Sequence, residues 1–102
     1  MKTMNIDGVD FEVQKDSNAY MSPWRGFLLI HDAYSRPSAI KEAIYDEWWD
    51  FFYCSSTMKI VDFGVISYNC NFFTLGACVE IDGQDYNITI TRAHKRISKV
   101  VR

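Results

Sequence analysis

Polar and apolar residues alternate at both ends of the chain, and between them the apolar positions recur every three or four residues. In "KTMNIDGVDFEV" the pair Asp7-Gly8 suits a type I′ turn, which needs positive φ at both central positions. Counting outward, Ile6 faces Val9, Met4 faces Phe11 and Lys2 faces Val13, while Thr3/Glu12 and Asn5/Asp10 form the polar side. A one-residue slip would destroy that separation. Asp82-Gly83 sets a second register, with Val79 opposite Tyr86, Ala77 opposite Ile88 and Leu75 opposite Ile90, and with Gly76/Thr89 and Thr74/Thr91 on the other face. "KIVDFGVISY" reads as a further strand. "GFLLIHDAY", residues 26–34, is a short apolar run that suits a buried strand, although periodicity leaves helix open. Residues 16–25 read as irregular, with Pro23 stopping any regular element.

One long helix is predicted over "SRPSAIKEAIYDEWWDFFYC", residues 35–54. Ser35 or Ser38 can cap its first amides, and Pro37 is tolerable in the first turn. Ile40, Ala43, Ile44, Trp48, Phe51 and Phe52 give it one apolar face. The expected fold is α+β: an antiparallel sheet of about five or six strands with one amphipathic, aromatic-rich helix across one face, in ββ-(β)-α-βββ order. The opposite sheet face, more polar, is expected to meet water.

Composition narrows the class. A chain of 102 residues, 48% hydrophobic and 24% charged, suits a single globular domain over 1–102 with one modest core. No run reaches the roughly 18 apolar residues of a membrane-spanning helix, and "MKTMNIDGVDF" lacks a signal-peptide core. Cys54, Cys70 and Cys78, with spacings of 16 and 8, match no zinc pattern; buried, reduced thiols in a cytoplasm are expected, with no metal or cofactor.

Aromatic residues, 16% of the chain, exceed what so small a core can absorb, and residues 48–53 alone hold five. With Ile40, Ile44, Trp48 and Phe51 or Phe52 turned to the sheet, Tyr45, Trp49 and Tyr53 form a second stripe beside Asp46 and Asp50. Tyr and Trp combine an apolar body with a polar tip, which favours them on surfaces that a partner covers. Three covers suit this stripe: Tyr20, Trp24 or Phe27 from residues 16–30, a second copy in a homodimer, or another protein.

Net charge is −2, divided as −4 over residues 1–50 and +2 over residues 51–102. The basic excess lies in the tail, where Arg92, His94, Lys95, Arg96, Lys99 and Arg102 fall within eleven residues. On a strand Arg92, His94 and Arg96 would share one face for phosphate contacts, with Tyr68, Phe72 and Tyr86 as a stacking platform. The plainer reading is a terminal edge strand whose charges deter pairing with other chains. His31-Asp32, on opposite faces of a strand, is a poor acid–base pair, and His94 with Cys54, Cys70 or Cys78 has no local signature. Without a nucleophile elbow, a metalloprotease helix or a phosphate-cradling glycine loop, no enzymatic activity is expected.

"RPSAIKEAIYDEW", then "FGVISYNCNFFTLGA", then "ITRAHKRI" resemble a pattern in small proteins of bacteriophages and mobile elements of gut bacteria. Those share a Ser-Lys/Arg-Pro-Ser helix start, an Asn-centred turn and an aromatic-Thr strand; the resemblance covers roughly residues 35–97. It carries no activity, cofactor or catalytic residue. It implies a non-catalytic protein that binds a host protein stoichiometrically in the host cytoplasm, in the manner of anti-CRISPR inhibitors of defence nuclease complexes. The contact would be Tyr45, Asp46, Trp49, Asp50 and Tyr53, with the carboxylates, Glu47 included, in the stronger form imitating nucleic-acid phosphates. The alternatives are nucleic-acid binding through Arg92, His94, Lys95, Arg96 and Lys99, and a structural homo-oligomer.

Overall fold

The computed structural model describes residues 2–23, 36–68 and 73–101. It contains β1 (Thr3–Ile6), β2 (Val9–Val13), α1 (Arg36–Tyr53), β3 (Lys59–Tyr68), β4 (Phe73–Ile81), β5 (Gln84–Ile90) and β6 (Lys95–Lys99). The fold is α+β as expected: a six-stranded, mostly antiparallel sheet in the order β1-β2-β6-β5-β4-β3, with α1 across one face. The strand expected over 26–34 lies outside the described residues, as does Cys70. Pro37 stands in the first turn of α1.

Both predicted hairpins form in the predicted register. Ile6 pairs with Val9 and Met4 with Phe11, and in the second hairpin Val79 pairs with Tyr86, Ala77 with Ile88 and Leu75 with Ile90. The turns are closed by positive φ at Asp7 (52°), Gly8 (89°), Asp82 (50°) and Gly83 (79°). The Asp7 side chain does more than turn the chain. Ser55 Oγ donates to it at 2.6 Å and Thr57 Oγ1 at 2.7 Å, which ties the first hairpin to the loop after α1. Those two hydrogen bonds hold the Asp7 carboxyl below its ordinary range.

The basic tail does not form an edge. Strand β6 lies inside the sheet, antiparallel to β5 and parallel to β2 through Glu12/Arg96 and Val13/Ile97. Ile97 in β6 and Val100 just past it explain this: they are 1% and 3% exposed, so burying them takes their charged neighbours into the sheet. Parallel pairing continues past both strands, where Ser17 bridges Val100.

The second sheet face meets water as expected at its β1–β2 end, where Thr3, Asn5 and Asp10 are exposed, but its centre is covered. Residues 17–23 cross it as a strap that Asn87 holds. Asn87 Nδ2 donates to the Ala19 carbonyl at 2.9 Å, and Met21 N–H donates to Asn87 Oδ1 at 3.1 Å. Under the strap Gly76 and Cys78 are buried, and the Cys78 thiol donates to the Met21 carbonyl at 3.1 Å. A methyl at Gly76 would collide with the Ile66 side chain and sit 2.8 Å from Met21 Sδ, so both side chains would have to shift to admit it. Burial, aided by the Asp62 carboxylate, pushes the Cys78 thiol up to about 11. A thiol so disfavoured as thiolate is a poor nucleophile.

Two predictions follow from these fastenings. Asn87→Ala strands the Met21 amide and the Ala19 carbonyl, and is expected to cost about 2–3 kcal/mol by denaturant titration, while exposing Cys78 to alkylation under native conditions. Asp7→Asn keeps a residue that tolerates positive φ but removes the charge. Since the folded carboxyl is held low, its contribution is present at neutral pH and is lost as pH falls through that lowered value. Urea midpoints of wild type and Asp7→Asn should therefore differ at neutral pH and draw together only as pH falls below the ordinary carboxylate range.

Candidate functional site

Helix α1 sorts its side chains by angle. At about 100° per residue, Ile44, Tyr45, Trp48, Phe51 and Phe52 fall on one arc, and Asp46, Trp49, Asp50 and Tyr53 on the opposite one. The first arc packs on the sheet. Phe52, 1% exposed, lies 5.4 Å from Phe63 between ring centres, and Trp48 and Phe51 meet Phe11 at 6.4 and 6.3 Å. Tyr45 belongs with them rather than with the outer stripe: it is half-buried, its ring 5.1 Å from that of Phe63. The stripe read from spacing alone thus loses its first member to the sheet, because Tyr45 stands at the margin of the buried arc.

The remaining residues form one surface. Trp49 and Tyr53 are 42% and 45% exposed and stack on each other, ring centres 4.3 Å apart at 23°. One helical turn separates them, the spacing at which helix side chains meet. Asp46 and Asp50 are exposed on the same arc, and Glu47 lies at its border. On Glu47's side a shallow hollow of about 280 Å³ is lined by Val9, Glu47, Trp48 and Phe51. Residues 44–53 carry three carboxylates and no Lys or Arg. The surface is acidic and aromatic: exposed carboxylates stand beside a stacked pair of rings.

The basic residues are dispersed. Arg92 and His94 stand in the turn between β5 and β6, where Ala93 and His94 amides donate to Thr91 Oγ1 at 3.3 and 2.9 Å. Lys95 and Lys99 share the helix-side face with Ile97, while Arg96 faces the other way, its Nε buried and unpaired. Arg92, His94 and Arg96 therefore do not share a strand face. Tyr86 packs against the core and is no open platform; the side chains of Tyr68 and Phe72 lie outside the description, as do His31 and Asp32.

The cysteines are equally separated. Cys54 follows α1 and is exposed, contrary to the expectation of burial, because the helix ends at Tyr53 and carries it off the core. Cys78 pairs with Asn87 in mid-sheet, whereas His94 lies beyond Ile90 at the end of β5. Among the described residues, no group of three or more His, Cys, Asp or Glu side chains is placed to hold a metal ion, and no helix is long and apolar enough to cross a membrane.

Asp7 and Asn87 are the residues that periodicity missed. The first reads as a turn former and the second as one polar position on a polar strand face. A buried asparagine between Tyr86 and Ile88 is nonetheless a signal, since its amide must find partners. No family model, curated protein or solved structure matches the chain.

If the outer arc is a surface and the inner arc is core, truncations should separate them. Trp49→Ala and Tyr53→Ala are each expected to cost about 1 kcal/mol or less, and Phe52→Ala about 3–5 kcal/mol, measured by denaturant unfolding.

Proposed function

We propose that the protein is a non-catalytic, stoichiometric binding protein, encoded by a phage or mobile element and acting in the host cytoplasm on a host protein. A defence nuclease complex is the target class that its small size and acidic docking helix suit, as for an anti-CRISPR inhibitor. The observation that carries this reading is the exposed Trp49–Tyr53 stack flanked by Asp46 and Asp50. Stacked rings supply large contact area at low entropic cost and are frequent interface hot spots. Carboxylates around them steer association and select against acidic partners. Tyr45, largely committed to Phe63, supports the surface from beneath.

Dispersal of Arg92, His94, Lys95, Arg96 and Lys99 leaves no single basic face for a nucleic-acid backbone, so the docking helix is favoured over the tail.

The test titrates the protein against reconstituted host defence nuclease complexes. Inhibition saturating at a fixed molar ratio, and lost in folded Trp49→Ala/Tyr53→Ala, is the expected result. Light scattering over a concentration series should give a monomer for both forms. A wild-type dimer that the double substitution dissolves would assign the rings to a second copy instead.

A further inference from the structure

We infer that the outer face of α1 receives a basic protein segment, with an arginine side chain laid against the Trp49–Tyr53 pair and held by Asp46 and Asp50. The inference rests on the docking reading and specifies the chemistry of what docks there.

Three separate features of this surface favour a cation. Aromatic faces carry negative quadrupole potential, and Trp and Tyr are effective cation–π partners. Their mutual stacking covers one side of each ring, yet 42% of Trp49 and 45% of Tyr53 still meet solvent. The carboxylates of Asp46 and Asp50 lie on the same arc, with Glu47 beside it and no Lys or Arg between residues 44 and 53 to neutralise them. Finally, Tyr53 is the last residue of α1, whose last turn has no basic side chain. No basic side chain of that turn offsets the negative end of the helix dipole near the rings.

Arginine suits this geometry better than lysine. Its planar guanidinium stacks on an aromatic face while its N–H groups reach carboxylates at the margin, and it is more weakly hydrated than an ammonium group. Lysine satisfies the charge but not the plane.

The experiment titrates isotope-labelled full-length protein with an arginine-rich peptide and with a lysine-rich peptide of equal length and charge. It follows the Trp49 indole N–H resonance, assigned with Trp49→Phe. Binding of the arginine peptide should shift that resonance and be several-fold tighter than binding of the lysine peptide. Trp49→Leu should weaken arginine-peptide binding about two- to fivefold, the range for an exposed cation–π contact. Asp46→Asn/Asp50→Asn, which leaves the rings intact, should weaken both peptides and flatten their salt dependence. Equal affinities with an unmoved indole, or no binding at low salt, would overturn the inference. Should the peptides fail while Trp49 and Tyr53 remain necessary for inhibiting a nuclease complex, docking stands and the cationic occupant is wrong. Peptide binding without any such inhibition would keep the occupant and remove the host target.

Discussion

The contact between Phe52 and Phe63 joins helix to sheet, and much of the structure depends on it. Phe52 meets Trp48 and Phe51 on its own helix at 6.0 and 5.3 Å and Phe63 on the edge strand at 5.4 Å. These rings form the layer under which Phe11, Val65, Leu75, Ile88 and Ile97 are buried. A helix can lay only part of its circumference on a sheet. Once Phe52, Trp48 and Tyr45 take the inward arc, Trp49 and Tyr53 are left outside with Asp46 and Asp50. The outer surface is thus a geometric consequence of how the core is filled.

The centre of the sheet's reverse face is covered by different means. Among the described residues it is irregular backbone, residues 17–23, that crosses this face, and its polar groups need partners. Asn87 supplies them to Ala19 and Met21, and glycine at position 76 leaves room for the strap. The parallel pairing of β2 with β6 completes the arrangement: after α1 the strands run back across the sheet from β3 until β6 meets β2.

Much of this was legible where local chemistry decides. Asp-Gly turns need positive φ, so the partners of Ile6, Ala77 and Leu75 could be counted outward from them. The helix could be bounded because apolar spacing and Pro37 agree. Position in the sheet was less legible, since a strand's neighbour depends on contacts distant in sequence. The basic tail looks like an edge by charge, yet Ile97 and Val100 draw it inside. The strap was read as irregular chain because its partner is one amide 66 residues away from Met21. On the helix, spacing placed Trp49, Tyr53 and both aspartates on the outer arc, where they are exposed. It misplaced Tyr45 because a margin residue is assigned by whichever ring lies opposite, and Phe63 is not visible from the helix.

The central claim is that one helix divides into a core arc and an open arc. Dye-sensitised nuclear polarisation, which enhances only tyrosine and tryptophan rings that a dye can touch, tests it most directly. Resonances would be assigned by single substitutions. The account predicts strong polarisation of Trp49 and Tyr53 and much weaker polarisation of Trp48. Silence at Trp49 and Tyr53 in the monomer would contradict it, and would mean that the outer arc is already covered by the chain itself.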